Sequence, residues 1–109
     1  MNPTTSNTTA TPDYKNEAQQ RLMRLVMTLA GHELHGLAPA DIIRLTGHTA
    51  AQVTRDMANL EQAEWAERIS TTGRWRLGPA IVRIGVKYAV TADQAMSRIQ
   101  QMHQRYSMT

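Results

Sequence analysis

The side chains best equipped for chemistry lie between Thr49 and Lys87. Gln52 and Arg55 follow a capped helix start. Each can make paired hydrogen bonds to a nucleic-acid base, Gln to adenine and Arg to guanine. Ala50 and Ala51 are small enough to let a helix backbone approach the floor of a groove. Downstream, Arg68, Arg74, Arg76, Arg83 and Lys87 form a run with no acidic residue among them. Such a run makes a local positive field able to attract phosphates. In another context it would read as a solvated face; its place on a hairpin beside a helix-turn-helix favours phosphate contact. Gln52 could instead serve only as a cap, and Arg55 only as a phosphate ligand.

Reaction chemistry has no comparable set of residues. The chain has no cysteine, no serine in a nucleophile motif, no glycine-rich phosphate loop and no convincing carboxylate pair. His32-Glu-Leu-His35 lacks the four-residue spacing of the zinc-protease motif, and no third ligand is near in sequence. These histidines read as solvated or capping groups. We therefore expect no catalysis, no metal and no cofactor.

The positioning elements follow from caps and periodicity. Thr49 and Gln52 match a capping box, which starts a helix running to about Gln62. Val53, Met57 and Leu60 share its buried face, leaving Ala50, Ala51, Gln52, Thr54, Arg55 and Asn59 on or near the outer faces. A shorter helix, about Pro39 to Thr46, precedes it. Pro39 suits the first turn, Ile42 the core, and Gly47 a left-handed terminus. A first helix is expected from the N-cap candidate Asp13, with Ala18, Leu22, Leu25, Val26, Leu29 and Ala30 as its apolar stripe. After the Thr49 helix, Trp65 and Ile69, then Trp75 and Leu77, alternate as strand residues around a Ser70–Gly73 turn. Both tryptophans are expected to pack under this hairpin, with Arg74 and Arg76 on its other side. Pro79 starts another helix, apolar on more than one side through Ile81, Val82, Ile84, Val86 and Ala89. Such a helix needs burial that a second subunit would supply. A last helix is expected from Thr91, with Gln94 completing a capping box. Its stripe of Ala95, Met96, Ile99, Met102 and Tyr106 could fold back on its own domain or pair with a partner helix.

Composition sets the outer bounds. The 109 residues suit one domain, and a net charge of +3 is by itself weak evidence for a nucleic-acid partner. Apolar runs fall far short of the roughly 20 residues of a membrane span. The N-terminus lacks a basic region followed by an apolar one, so a cytoplasmic protein is the default. Residues 1–12 carry no charged side chain and are dominated by Thr, Asn, Ser and Pro. They are expected to be a disordered tail; as a DNA-ordered arm they would lack any Lys or Arg for a phosphate.

Residues 22–86 resemble the DNA-binding domain of the IclR family of bacterial transcription regulators. The resemblance is carried by Thr46-Gly47, Val53 with Arg55, Leu60-Glu61, Glu67-Arg68, and above all Thr72-Gly-Arg-Trp-Arg-Leu-Gly78 followed by Pro79. It implies a mainly α fold with a small β-hairpin: a winged helix-turn-helix over residues 13–90, with the Thr49 helix in the major groove and the wing on the backbone or minor groove. It also implies dimers on pseudo-palindromic sites. Three departures stand out. Glu64 occupies a position where the family usually has glycine, so the junction there could be shaped differently. Asp56 replaces a usual apolar residue, placing a charge near the DNA or on the surface. The family's large C-terminal effector domain has no counterpart after residue 90, so small-molecule sensing is not carried over. A small stand-alone regulator, as from a phage or mobile element, would fit this pattern.

These readings converge on sequence-specific binding of double-stranded DNA by a homodimeric regulator. Base readout is expected from Ala50, Ala51, Gln52, Thr54 and Arg55, and phosphate contact from Thr49, Arg68, Arg74 and Arg76. Ile81, Ile84, Met96, Ile99, Met102 and Tyr106, the last four in the 91–109 segment, are expected at the dimer or partner contact. The alternative is a protein-interaction module, such as an adaptor in a nucleoprotein complex, using the apolar region from Ile81 to Tyr106. A pure adaptor has no need of an acid-free segment from Arg68 to Lys87.

Overall fold

The computed structural model describes residues 12–107, so the expected N-terminal tail lies outside it apart from Pro12. Among the described residues four helices and two strands follow one another: α1 (Glu17–Leu29), α2 (Pro39–Thr46), α3 (Ala50–Gln62), β1 (Ala66–Arg68), β2 (Trp75–Leu77) and α4 (Pro79–Ser107). The first three helices enclose the core with the hairpin. Leu25 and Leu29 of α1, Ile42 of α2, and Val53, Met57 and Leu60 of α3 meet Leu37, Ala66 and Trp75 in one buried cluster. The helix positions and Trp75 are the expected inward ones; Leu37 and Ala66 join them unforeseen. Leu45 is exposed and Ile43 half-buried, as the crowding of apolar residues on so short a helix required.

Local signals account for most helix ends. Asn16, rather than Asp13, caps α1: its side-chain oxygen accepts from the Gln19 N–H at 3.0 Å. Asp13 instead accepts from the Lys15 N–H in a turn ahead of the helix. Both residues can cap, but only Asn16 is followed by an acidic side chain in the first turn, which the helix dipole favours. The Thr49–Gln52 capping box forms in both directions, at 3.0 and 3.1 Å. Gly47 ends α2 in the left-handed region at φ 73°. At α2's start, Asp41 reaches back to the Ala38 N–H at 3.3 Å. That is half a capping box, since alanine has no side-chain acceptor.

The sheet is wider than the hairpin expected from the sequence. β1 and β2 pair antiparallel, Ala66 with Leu77, Glu67 with Arg76 and Arg68 with Trp75. On the far edge of β2, Leu37 bridges Trp75 through two backbone hydrogen bonds of 2.8 Å. Gly36 must lack a side chain for this approach. Its φ is 70°, and a Cβ there would stand 2.7 Å from the Trp75 carbonyl oxygen. Trp75 is buried as expected, while Trp65, just outside β1, is only partly so and packs against the rim of the core.

The connection from α3 to β1 keeps a glycine-type geometry without a glycine. Glu64 has φ 62°. The Trp65 N–H donates to the Leu60 carbonyl at 2.8 Å and the Glu64 N–H to Glu61 at 2.9 Å. This is the paired hydrogen-bond pattern that closes a helix through a left-handed residue. The departure at Glu64 therefore leaves the turn's shape intact and adds backbone strain. The Glu64 carbonyl also accepts from the Ala80 N–H at 2.9 Å. A Cβ at Gly78 would collide with that carbonyl, so the start of α4 is fixed against this turn.

Beyond that anchor the C-terminal region differs from expectation. One helix of 29 residues replaces the two expected, and the break at Thr91 is absent. Neither proline nor glycine stands near Thr91, and a capping box does not stop a helix that can continue its own hydrogen bonding. The boundary drawn at residue 91 thus falls inside α4. At about 1.5 Å per residue the helix is about 43 Å long, and none of its residues is buried. No helix among the described residues is long and apolar enough to cross a membrane.

Replacing Glu64 by glycine should raise stability, because a non-glycine residue in the left-handed region costs about 1 kcal/mol. Urea unfolding of the two proteins at neutral pH measures the difference; equal midpoints would show that the turn is unstrained.

Candidate nucleic-acid interface

The outer face of α3 is open. Ala50, Ala51, Thr54, Arg55 and Asn59 are exposed and Gln52 is half-buried. The first backbone N–H groups of a helix have no partner within it, which makes the Thr49–Ala51 end attractive to an anion. The Gln52 carbonyl oxygen is taken by the Thr49 N–H. Its amide nitrogen alone remains for an external acceptor, so the paired contact expected to adenine would require breaking the cap. Arg55 is different. Its backbone carbonyl accepts from the Asn59 side chain at 2.9 Å, while its guanidinium has no hydrogen bond or ion pair among the described residues.

The wing arginines are more engaged than expected. Arg76 donates through Nε to Glu67 at 2.7 Å, directly across the strand pair. Arg74 contacts the Gly36 carbonyl at 3.4 Å and lies 3.6 Å from Asp41. Arg76 alternates with Trp75 and Leu77 along β2 and so lies on the opposite face, as expected, while Arg74 precedes the strand; each already has an acidic neighbour. The hydrogen bond from Arg44 and then the Ala38 N–H hold the Asp41 carboxyl below its ordinary pKa, so it is an anion at neutral pH. Arg68 takes the other face. Its guanidinium carbon stands 4.7 Å from the centre of the Trp75 ring, a cation–π distance. It lines a small cleft with Pro39, Val53, Thr54 and Met57, which puts the charge beside the outer edge of α3. At the wing tip Gly73 adopts φ 74° and its N–H donates to the Ile69 carbonyl at 2.7 Å.

Asp56 points neither to a ligand nor to solvent. It is 5% exposed and faces α1, where Arg21 Nε donates to it at 2.6 Å and a second guanidinium nitrogen at 3.3 Å. This hydrogen bond raises the Arg21 pKa, against the opposing effect of burial. The charge on α3's inner face is therefore neutralised within the fold, and it orients α3 on α1.

The same region contains a group that sequence reasoning missed. Glu17, Arg21, Arg24, His48 and Gln52 line a cleft at the N-terminal end of α3. Arg24 is exposed, and its guanidinium has no hydrogen bond or ion pair among the described residues. The Arg21–Arg24 spacing put the two on one side of α1, but local periodicity could not show that this side meets the helix-turn-helix. Both ring nitrogens of His48 are enclosed without a protein partner. Burial, then the nearby Arg24 and Arg21 charges, lower its pKa. His32 and His35 are exposed, and no group of three metal-ligating side chains occurs among the described residues.

The fold formed by these parts is a winged helix-turn-helix: α2, a turn at Gly47–Thr49, α3, and the β1–β2 wing bridged to Leu37. Among solved structures, it is similar to one described as an IclR transcriptional regulator from Silicibacter sp. TM1040, with TM-score 0.61 and 24% identity over 74% of this chain and 32% of that one. It is also similar to an IclR family transcriptional regulator from Brucella abortus, with TM-score 0.61 and 21% identity over 77% of this chain and 31% of that one. The chain thus spans about a third of the length of either structure. No family model and no curated protein matches it.

The His48 environment has a measurable consequence. A histidine whose folded pKa is depressed binds protons more readily when unfolded, so its contribution to stability is full above the unfolded value, about 6.5. It is lost as pH falls from there through the folded value. Urea midpoints should therefore decline between pH 7.5 and pH 5.5, above the range in which Asp41 titrates. His48→Gln should flatten that decline; an unchanged slope in the variant would assign it to other groups.

Proposed function

We propose that the chain binds double-stranded DNA sequence-specifically and regulates transcription as a dimer on a pseudo-palindromic site. The observation that carries this reading is the open outer face of α3. There Arg55, without a hydrogen bond or ion pair among the described residues, and two alanines flank a capped helix start, with Arg68 held on Trp75 at one side and Arg24 at the other. Small side chains allow close approach to a groove. Arg55 supplies a fork that matches guanine. Ala50, Ala51 and Thr54 complete the surface that would meet base edges, with Gln52 contributing through its free amide nitrogen.

Phosphate contact falls to Arg24, Arg68 and the Thr49 end of α3, which are not matched to carboxylates among the described residues. Arg74 and Arg76 contribute less, since Asp41 and Glu67 partly neutralise them. The solved regulators of similar fold support the assignment to transcription. Dimerisation is supported by the uncovered apolar side chains of α4, Ile84, Met96, Ile99 and Met102 among them. Ile81 is half-buried near the helix start, and Tyr106 lies near its end.

Selection of sites from a random duplex pool, followed by mobility-shift titration, tests the proposal. Arg55→Ala should cost about 1–3 kcal/mol at the selected site and relax preference at one position. Unchanged binding would remove Arg55 from base readout. Arg68→Ala should weaken binding to all sequences and reduce the slope of log K against log salt by about one. Glu67→Gln should act in the opposite direction by releasing Arg76, giving tighter and more salt-dependent binding. Failure of the unaltered chain to bind any duplex at low salt would instead favour an adaptor working through α4.

A further inference from the structure

The uncovered surface of α4 contains a regular seam. Gly85, Tyr88, Ala92, Ala95, Ile99 and Met102 succeed one another at steps of three, four, three, four and three. This is the alternation of a two-stranded coiled coil. Tyr88, Ile99 and Met102 are 76%, 62% and 50% exposed, so the seam is not packed against its own domain. We propose that it pairs with the same seam of a second copy, the two helices running antiparallel about a two-fold axis between Ala92 and Ala95. This inference rests on the dimeric reading above and gives that dimer a geometry.

Side-chain sizes distinguish the two directions. Antiparallel pairing sets Gly85 against the partner's Met102, Tyr88 against the partner's Ile99, and Ala92 against the partner's Ala95. The smallest position then receives a long, adaptable side chain, and the two alanine layers form a narrow waist at the axis. In parallel register every residue would meet itself. The alanine layers are equally small in either direction, but Gly85 would face another Gly85 and leave an empty layer, while Tyr88 would confront another Tyr88. Protein interiors accommodate such voids and crowding poorly.

Charge agrees with size. α4 carries Arg83, Lys87, Arg98 and Arg105 but only one acidic residue, Asp93. Parallel helices would bring Arg98 beside the partner's His103 and align the two helix dipoles. Antiparallel helices place Arg98 beside the partner's Thr91, oppose the dipoles, and spread the basic side chains along the pair. The two Pro79 ends would then lie about 43 Å apart along the axis. That is comparable with the roughly 34–36 Å of one DNA turn, so the winged helices would sit at opposite ends of a bar and address successive turns.

Cysteine cross-linking tests the direction without DNA, because the chain has no native cysteine. Full-length Gly85→Cys and Met102→Cys proteins would be oxidised separately and after mixing with time for subunit exchange; the double variant would be a third sample. A Cβ at residue 85 meets nothing within 4 Å, and Met102 is half exposed, so neither change disturbs the winged helix. The antiparallel pair predicts covalent dimers in the mixture and the double variant. Each single variant should stay uncross-linked, since like cysteines would be about 26 Å apart. Covalent dimers from a single variant would overturn the antiparallel arrangement. No cross-link in any sample, with helicity retained by circular dichroism, would overturn self-pairing of α4. Cross-linking as expected with no DNA binding would leave this inference standing and count against the proposed function alone.

Discussion

The backbone of Trp75 is the point through which the wing and the helices are joined. Its N–H and carbonyl both bond to Leu37, at the entrance to α2, while the same residue pairs with Arg68 across the hairpin. Its side chain closes the core formed by α1, α2 and α3, and its ring supports the Arg68 guanidinium. One residue therefore sets the distance from wing to α3 and the position of a charge between them. Gly36 is a condition of this junction, because any Cβ would strike the Trp75 carbonyl. The sharp turn at Glu64 meets the same requirement from the other side: it returns the chain from α3 to β1 and receives the first residues of α4.

Electrostatic pairing divides the arginines of α1, α3 and the wing into two sets. Arg21, Arg74 and Arg76 face carboxylates, pairing α1 with α3, α2 with the wing, and strand with strand. Arg24, Arg55 and Arg68 have no carboxylate within ion-pair distance among the described residues, and they surround the open face of α3. Net charge of +3 conceals this division. The acid-free run from Arg68 to Lys87 is acid-free only along the chain, because Asp41 and Glu67 reach its side chains in space. A surface exposed arginine pair of this kind contributes little to stability. Its larger effect here is on which charges remain available to a polyanion.

Features set by a few neighbouring residues were legible in the sequence. The Thr49–Gln52 box, the left-handed Gly47 and Gly73, and the Val53–Met57–Leu60 face depend only on local backbone geometry and helical spacing. The residues Thr72 to Pro79 also identified the wing. Contacts between distant parts of the chain were not legible. Nothing near Asp56 announces a partner 35 residues earlier, and nothing near Leu37 announces a strand pairing with Trp75. The break expected at Thr91 fails for the opposite reason: a genuine local cap signal is present, but no tertiary contact turns the chain there. Glu64 shows a third case, in which the surrounding hydrogen bonds impose a backbone conformation that the residue itself disfavours.

DNA recognition by the α3 face and assembly through α4, as proposed, can be separated by a backbone amide spectrum. Isotope-labelled protein titrated with a mixed-sequence duplex at low salt should show shifts concentrated at residues 49–55, at Arg68 and around the 70–74 turn. The outer positions of α4 from 93 to 105 should change little. Shifts confined to α4, or no shifts at duplex concentrations well above those of the protein, would contradict a DNA-binding role for the α3 face.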